Sequence, residues 1–342
     1  MYKRQTEARI VGGVLSTTGT GQFRVAASQN ANLEDVTLNG ALVAGDNSDT
    51  QISGTITNTG SIEINSLAFQ SDLELGVGGA TLTGGGTVTL SGANAGINDV
   101  SGTQTLIVAD QTIQGRGNIG RNTINLINNS TGTILANDAT GALIVDVSSA
   151  IFSNDGTLGV ASDATLEIIG DLAGSDSSVL FGDGTIVATG GVITHDGLIT
   201  PGEEVGILAL DASLLLDPNA EISIEIGGIL AGTEFDLLTI SDDLTLDGDL
   251  SISLTDGFNP LATDTFEIIT STNLSGTFAN VSNGGTLRTL DGLGEFTVNF
   301  GAGSSFGENR VVLSSFSVPE PASAVFLTLS GLAMLGRRRR KN

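Results

Sequence analysis

The stretch "NDGTLGV", residues 154–160, decides the fold. A polar pair, Asn154-Asp155, passes through Gly156 into a short run with strand character. The same step recurs as "NTGSIEI" (58–64), "NSTGTIL" (129–135) and "HDGLITPG" (195–202). Asn, Asp and Gly tolerate positive φ, which sharp corners use. The corner glycines are Gly60, Gly132, Gly156 and Gly197, spaced by 72, 24 and 41 residues. These intervals approximate three, one and two copies of a unit of roughly 20–24 residues, a solenoid-sized repeat with an imperfect register.

Between the corners lie "TVTL", "LIVAD", "TINLI", "ALIVDV", "TLEIIG" and "TIVAT". They are rich in Val, Ile, Leu and Thr and alternate with period two, the mark of strands with one buried face. No segment before residue 320 has a helical period. Short strands with glycine corners fit a sandwich or barrel as well as a solenoid. A repeat of about one rung, with few prolines and aromatics, favours a right-handed parallel β-helix over residues 31–215. Val, Ile and Leu would then stack inside, with Thr, Ser, Asn and Asp outside.

Residues 216–316 read differently. "EISIEI" places Ile222, Ile224 and Ile226 on one face, and "LTLDGDLSISL" keeps that parity around Asp247-Gly248, a hairpin or corner signal. "TFEII" (265–269) follows. These longer strands are expected to form a β-rich cap over the open end of the solenoid, which would otherwise be a bare sheet edge. Residues 182–270 carry a PG-x-x-x-G-x-L step, an IEIGG strand, a GT-x-F-D-x-L step, an L-x-G-x-L-x-I-x-L run and a GF-x-P turn. This pattern resembles modules of autotransporter-passenger-like bacterial surface proteins. The resemblance implies a β-helical or extended β-rich form. The C-terminal translocator barrel of autotransporters is not in this sequence, so self-translocation is not implied.

Charge narrows the function. The 342-residue chain has net charge −25, 48 glycines, no cysteine, no tryptophan and one tyrosine. Without cysteine there is neither a disulfide framework nor a thiolate metal site. Of thirteen Lys and Arg residues, only Arg24, Arg116, Arg121, Arg288 and Arg310 lie between residues 10 and 336. So acidic a body repels phosphate backbones, which excludes nucleic acid as a partner. It keeps the chain soluble and attracts cations.

The last stretch, "PEPASAVFLTLSGLAMLGRRRRKN", has three parts. Pro319-Glu320-Pro321 precedes an apolar run, Ala322 to Gly336, carrying Val325, Phe326, Leu327, Leu329, Leu332 and Leu335. Arg337, Arg338, Arg339, Arg340 and Lys341 follow. As a helix, fifteen residues span about 22 Å against a hydrocarbon core of roughly 30 Å, a marginal transmembrane helix extended by snorkelling arginines. Basic residues stay cytoplasmic, so the body is expected outside the inner membrane. The three parts in this order resemble the PEP-CTERM sorting signal, here residues 317–342. The resemblance implies export in a Gram-negative bacterium and recognition by exosortase, a membrane protease-transpeptidase. It implies inner-membrane anchoring that ends in transfer to the cell surface or extracellular matrix, with exopolysaccharide as a further partner. An exported chain is expected to begin with a secretory signal, yet "MYKRQTEARIVGGVLSTTG" has no sufficient apolar stretch. Residues 1–30 are therefore read as a poorly defined N-terminus with a truncated or misassigned start.

Little points to catalysis. His195 is the only histidine, and its place in "THDGLITPG" matches the corner Asn of the other turns. A Ser-His-Asp triad through it is formally open. Parallel β-helices also host polysaccharide lyases and hydrolases, which use paired carboxylates, bases and aromatic platforms. Here the basic residues are few and the thirteen phenylalanines scattered. Asp242, Asp243, Asp247 and Asp249 are weak candidates for calcium but fit no EF-hand loop. No cofactor is expected. The reading is a non-enzymatic exported structural protein, with a carbohydrate-active enzyme or glycan-binding adhesin on the same scaffold as alternatives.

Overall fold

The computed structural model describes residues 7–99, 102–148 and 152–319, all strands, turns and loops without a helix. Strands stack in parallel, in register, into three ladders that share one apolar interior. One ladder includes Ser61–Asn65, Thr133–Ala136, Thr157–Val160, Val179–Gly182, Leu198–Pro201, Glu221–Ile226 and Asp249–Leu254. The second runs through Leu143–Val145, Thr165–Ile169, Thr185–Thr189, Ile207–Asp211, Leu237–Ile240 and Phe266–Thr270. The third runs through Ile124–Asn128, Phe152–Asn154, Leu172–Gly174, Ile193–His195, Leu214–Leu216, Asp243–Leu246 and Asn273–Gly276. This is the parallel β-solenoid that the corner glycines and strand pattern predict.

Period two explains the interior. In the first ladder Ile62, Val88, Ile113, Ile134, Leu158, Leu180, Ile199 and Ile222 stand in register, each with no exposed surface. Each such side chain removed from water stabilises the fold by roughly 1.5–3 kcal/mol before entropic costs. The corner column runs Gly60, Gly86, Gln111, Gly132, Gly156, Ser178, Gly197: each carbonyl accepts from the N–H opening the next turn's strand, as in Thr157 N to Gly132 O at 2.9 Å and Leu198 N to Ser178 O at 2.9 Å. The intervals of three, one and two turns are thus correct. A turn takes from 19 residues (Val179 to Leu198) to 31 (Leu238 to Ile269), which blurs the repeat in sequence.

Three expectations need correction. The solenoid does not begin at residue 31: Glu7–Val11, Val14–Ser16 and Gln22–Val25 already stack in parallel on Asn30–Glu34, Thr37–Asn39 and Ala41–Ala44, so described residues before 31 belong to it. Gly60, Gly132, Gly156 and Gly197 do not have positive φ. Glycine is needed there because a Cβ would strike the turn below: the Gly132 carbonyl from Gly156, the Ser178 carbonyl from Gly197. The change of architecture expected at residue 216 comes later. Glu221–Ile226 pairs in parallel with Asp249–Leu254, so Asp247-Gly248 is a corner and not a hairpin. Apart from isolated bridges, antiparallel pairing between strands starts at Phe266–Thr270, which stacks in parallel on Leu237–Ile240 and pairs antiparallel with Arg310–Ser317. Arg310–Ser317 also pairs with Glu295–Asn299, and that strand with Thr286–Arg288.

Seven of the thirteen phenylalanines meet in and around this cap. Phe266 has edge contacts with Phe235, Phe258 and Phe296 at centroid distances of 5.3, 6.2 and 5.7 Å. Phe296 also meets Phe316 at 4.9 Å, and Phe278 meets Phe300 at 5.6 Å. Bulky rings suit the last turn because no further turn covers it.

Candidate functional site

The last described strand of the body ends where the expected sorting signal starts. Arg310–Ser317 is the middle strand of the cap sheet, with Val311 and Leu313 fully buried and Arg310 paired with Glu267. Val318, the next residue, is exposed. Of Pro319, Glu320 and Pro321 only Pro319 is described. The apolar run from Ala322 and the basic run Arg337–Lys341 lie outside the described residues, as does the expected membrane helix. Among the described residues no helix is long and apolar enough to cross a membrane. Beyond the last described strand, Val318 is exposed and Pro319 half-buried.

The corner holding His195 is a buried polar ladder. Asn58, Asn128, Asn154 and His195 end their strands with 2% exposure or less. Asn128 Nδ2 donates to Asn154 Oδ1 at 2.8 Å, and Asn58 Nδ2 to Gln111 Oε1 at 2.8 Å. His195 Nε2 lies 3.1 Å from the Leu198 carbonyl, so that nitrogen carries the proton. Nδ1 faces Ser178 Oγ at 3.4 Å, while the Ser178 hydroxyl donates to the Ser175 carbonyl at 2.6 Å. Burial pulls the imidazole pKa down to about 4, against the Leu198 contact and the Asp196 charge. This Ser-His pair is sealed from solvent and has no carboxylate on its free edge. His195 occupies the corner position of the asparagines, as its sequence context indicates. In the "NSTGTIL" turn that position belongs to Asn128, one residue before the quoted stretch.

The four aspartates considered for calcium do not converge. Asp242 and Asp243 open the strand Asp243–Leu246, and Asp247 and Asp249 lie beyond its far end. Four residues of strand separate Asp243 from Asp247 by about 13 Å. Asp243 accepts from Asn273 Nδ2 at 2.7 Å, and Asp247 accepts from the Gly248 N–H at 2.8 Å. Among the described residues no three His, Asp or Glu side chains are gathered as a metal ion requires. Acidic groups crowd elsewhere. Glu74 is pushed up to about 7, first by burial and then by Asp49, Asp72 and Asp99, while Arg121 lies 3.5 Å from Asp72.

Two steps of the passenger-like pattern interlock. Asp236 of "GTEFDLL" is fully buried; its Oδ1 accepts from the Gly206 N–H at 2.9 Å and its Oδ2 from the Glu225 N–H at 2.8 Å. Burial pushes its carboxyl up to about 7, opposed by those two hydrogen bonds. Gly206 closes the "PGEEVG" loop, and a Cβ there would meet Gly202 Cα at 2.7 Å. Gly202 has φ +79° and donates to the Gly182 carbonyl at 2.7 Å. The loop carrying Glu203 and Glu204 is thus fixed at both ends, a function of Asp236 that spacing alone does not disclose.

Comparison with known proteins identifies the tail. No curated protein matches the chain. A family model described as the PEP-CTERM protein-sorting motif matches residues 317–341. The match begins at Ser317, where the last strand of the cap ends. It contains Pro319-Glu320-Pro321, the apolar run and the basic cluster in the expected order. Such a motif implies export and processing by an exosortase. The chain therefore carries a PEP-CTERM protein-sorting motif, directly behind a parallel β-solenoid.

Proposed function

We propose that this chain is a non-enzymatic structural protein of the cell surface or extracellular matrix. The apolar run from Ala322 holds it in the inner membrane, with Arg337–Arg340 and Lys341 on the cytoplasmic side, until exosortase acts near Pro319–Pro321. The observation that carries this reading is the position of the matched motif: it begins at Ser317, the end of the last described strand of the cap. A protease can then work beyond that strand without opening the core. The solenoid is rigid, acidic and built of backbone ladders, which suits a structural surface role. Its one serine-histidine contact is buried, which favours a non-catalytic reading.

Fractionation of a host carrying exosortase tests it. The wild-type chain is expected in the outer or extracellular fraction. A variant with Pro319, Glu320 and Pro321 all replaced by alanine is expected to stay with the inner membrane. Wild-type protein retained in the cytosol, or the same distribution for both chains, would contradict the proposal. Depletion of any neutral or acidic polysaccharide by the purified chain would overturn its non-enzymatic part.

A further inference from the structure

The outer face of the first ladder bears a cleft of about 500 Å³ that sorting does not require. It crosses four successive turns just after Thr133–Ala136, Thr157–Val160, Val179–Gly182 and Leu198–Pro201. Neighbouring turns lie about 4.8 Å apart, so the cleft runs about 14 Å along the solenoid axis. Leu135, Gly159 and Phe181 stand in consecutive register on the outward side, opposite the buried Ile134, Leu158 and Leu180. Gly159 makes the floor possible. A Cβ there would collide with the Phe181 ring and meet Leu135 Cδ1 at 2.9 Å, so the ring occupies space that a side chain would take. Phe181 is half-buried, with part of its ring open to the cleft.

The rim is polar and of one sign. Asp183, Glu203 and Glu204 are exposed carboxylates, Asn137 and Ser162 add an amide and a hydroxyl, and no Lys or Arg lines the cleft. The Pro201–Gly206 loop, fixed through Gly182 and Asp236, forms the end wall. We propose that this cleft binds an amine-bearing oligosaccharide, a short run of glucosamine-type sugars. The aromatic ring and Leu135 offer an apolar floor to the C–H faces of pyranose rings. The carboxylates attract the ammonium groups, and an ammonium near Phe181 gains a further cation–π contribution. Asn137 and Ser162 supply donors and acceptors for hydroxyls. An elongated cleft over four turns suits a linear chain, and a uronate or phosphate polymer is repelled. This site is independent of the sorting signal.

Calorimetric titration of the full chain with glucosamine tetramer, N-acetylglucosamine tetramer and a Lys/Arg tetrapeptide tests the proposal. The glucosamine tetramer is expected to bind at least tenfold more tightly than either other probe. Phe181→Ala, and separately Glu203→Gln with Glu204→Gln, are expected to weaken it at least fivefold. The glutamine pair lies on exposed positions, so its result stands even if Phe181→Ala disturbs folding. Asp242→Asn with Asp243→Asn removes equal charge elsewhere and is expected to change nothing. Absence of binding, equal loss in that remote pair, or equal binding of the acetylated sugar or the peptide would overturn the proposal.

Discussion

Gly156 shows what one residue does in this fold. Its missing side chain lets each turn settle onto the one below, where the Asn129 and Gly132 carbonyls and the Asn128 amide leave no room for a Cβ. Because the two nearest contacts are backbone carbonyls, little can yield. Gly156→Ala is expected to cost more than about 2 kcal/mol of stability, read as a fall in urea midpoint, whereas Gly190→Ala, with open space around it, loses only what its φ of +77° demands. The glycine positions were legible in the sequence, but their reason was not, since close approach belongs to neighbouring turns and not to the local turn. His195 is the second case. Its pKa falls from 6.5 to about 4, so the unfolded chain binds a proton that the folded chain refuses. That difference lowers stability as pH drops from about 6.5 to 4, approaching roughly 3 kcal/mol. Asp236 and Glu74, raised to about 7, act oppositely: their contribution is full at low pH and lost as pH rises towards 7. His195→Asn, which places the corner residue of the other turns there, is expected to leave stability at pH 7 nearly unchanged and to raise it at pH 4.5. Equal urea midpoints of variant and wild type at pH 4.5 would refute this.

At the scale of elements, the cap is the part whose removal matters. Arg310–Ser317 lies between Phe266–Thr270 and Glu295–Asn299, and its Phe316 packs on Phe296. A chain ending at Pro319 is expected to melt within about 2 °C of the full chain, because the excised part begins beyond the exposed Val318. A chain ending at Asn309 loses the middle strand and exposes the Phe266 cluster; it is expected to melt far lower or to aggregate. Thermal scans of both truncations check this. Strands and corners could be read from alternation and glycine. The reach of the parallel ladder past residue 216 could not, because "LTLDGDLSISL" has the same local pattern as a hairpin arm or a solenoid corner. Only register with Glu221–Ile226 distinguishes them. The cleft was hidden for a related reason: Leu135, Gly159 and Phe181 are 24 and 22 residues apart, and turns of unequal length conceal their alignment.

The whole molecule is a strongly acidic rod segment. The few arginines of its described body are mostly spent on ion pairs: Arg9 with Glu34, Arg116 with Asp138, Arg121 with Asp72, Arg288 with Glu295 and Arg310 with Glu267. These pairs neutralise only a few of the 38 acidic residues, and the net charge of −25 stands uncompensated. Self-repulsion of that charge is screened by salt, while the exposed pairs contribute little. Solubility and cation attraction follow from this composition, and both suit the space outside a cell. The tail breaks the acidic pattern most strongly, and it was the most legible part of the sequence because its three parts are contiguous. The claim that joins fold and destination is that exosortase releases the solenoid near Pro319–Pro321. Intact mass of the protein recovered from an exosortase-bearing host, beside an exosortase-deleted host, tests this most directly. The account predicts a mature C-terminus at or near Pro319–Pro321 only where exosortase is present. A mass extending to Asn342 in both hosts would contradict it and make the tail a permanent anchor.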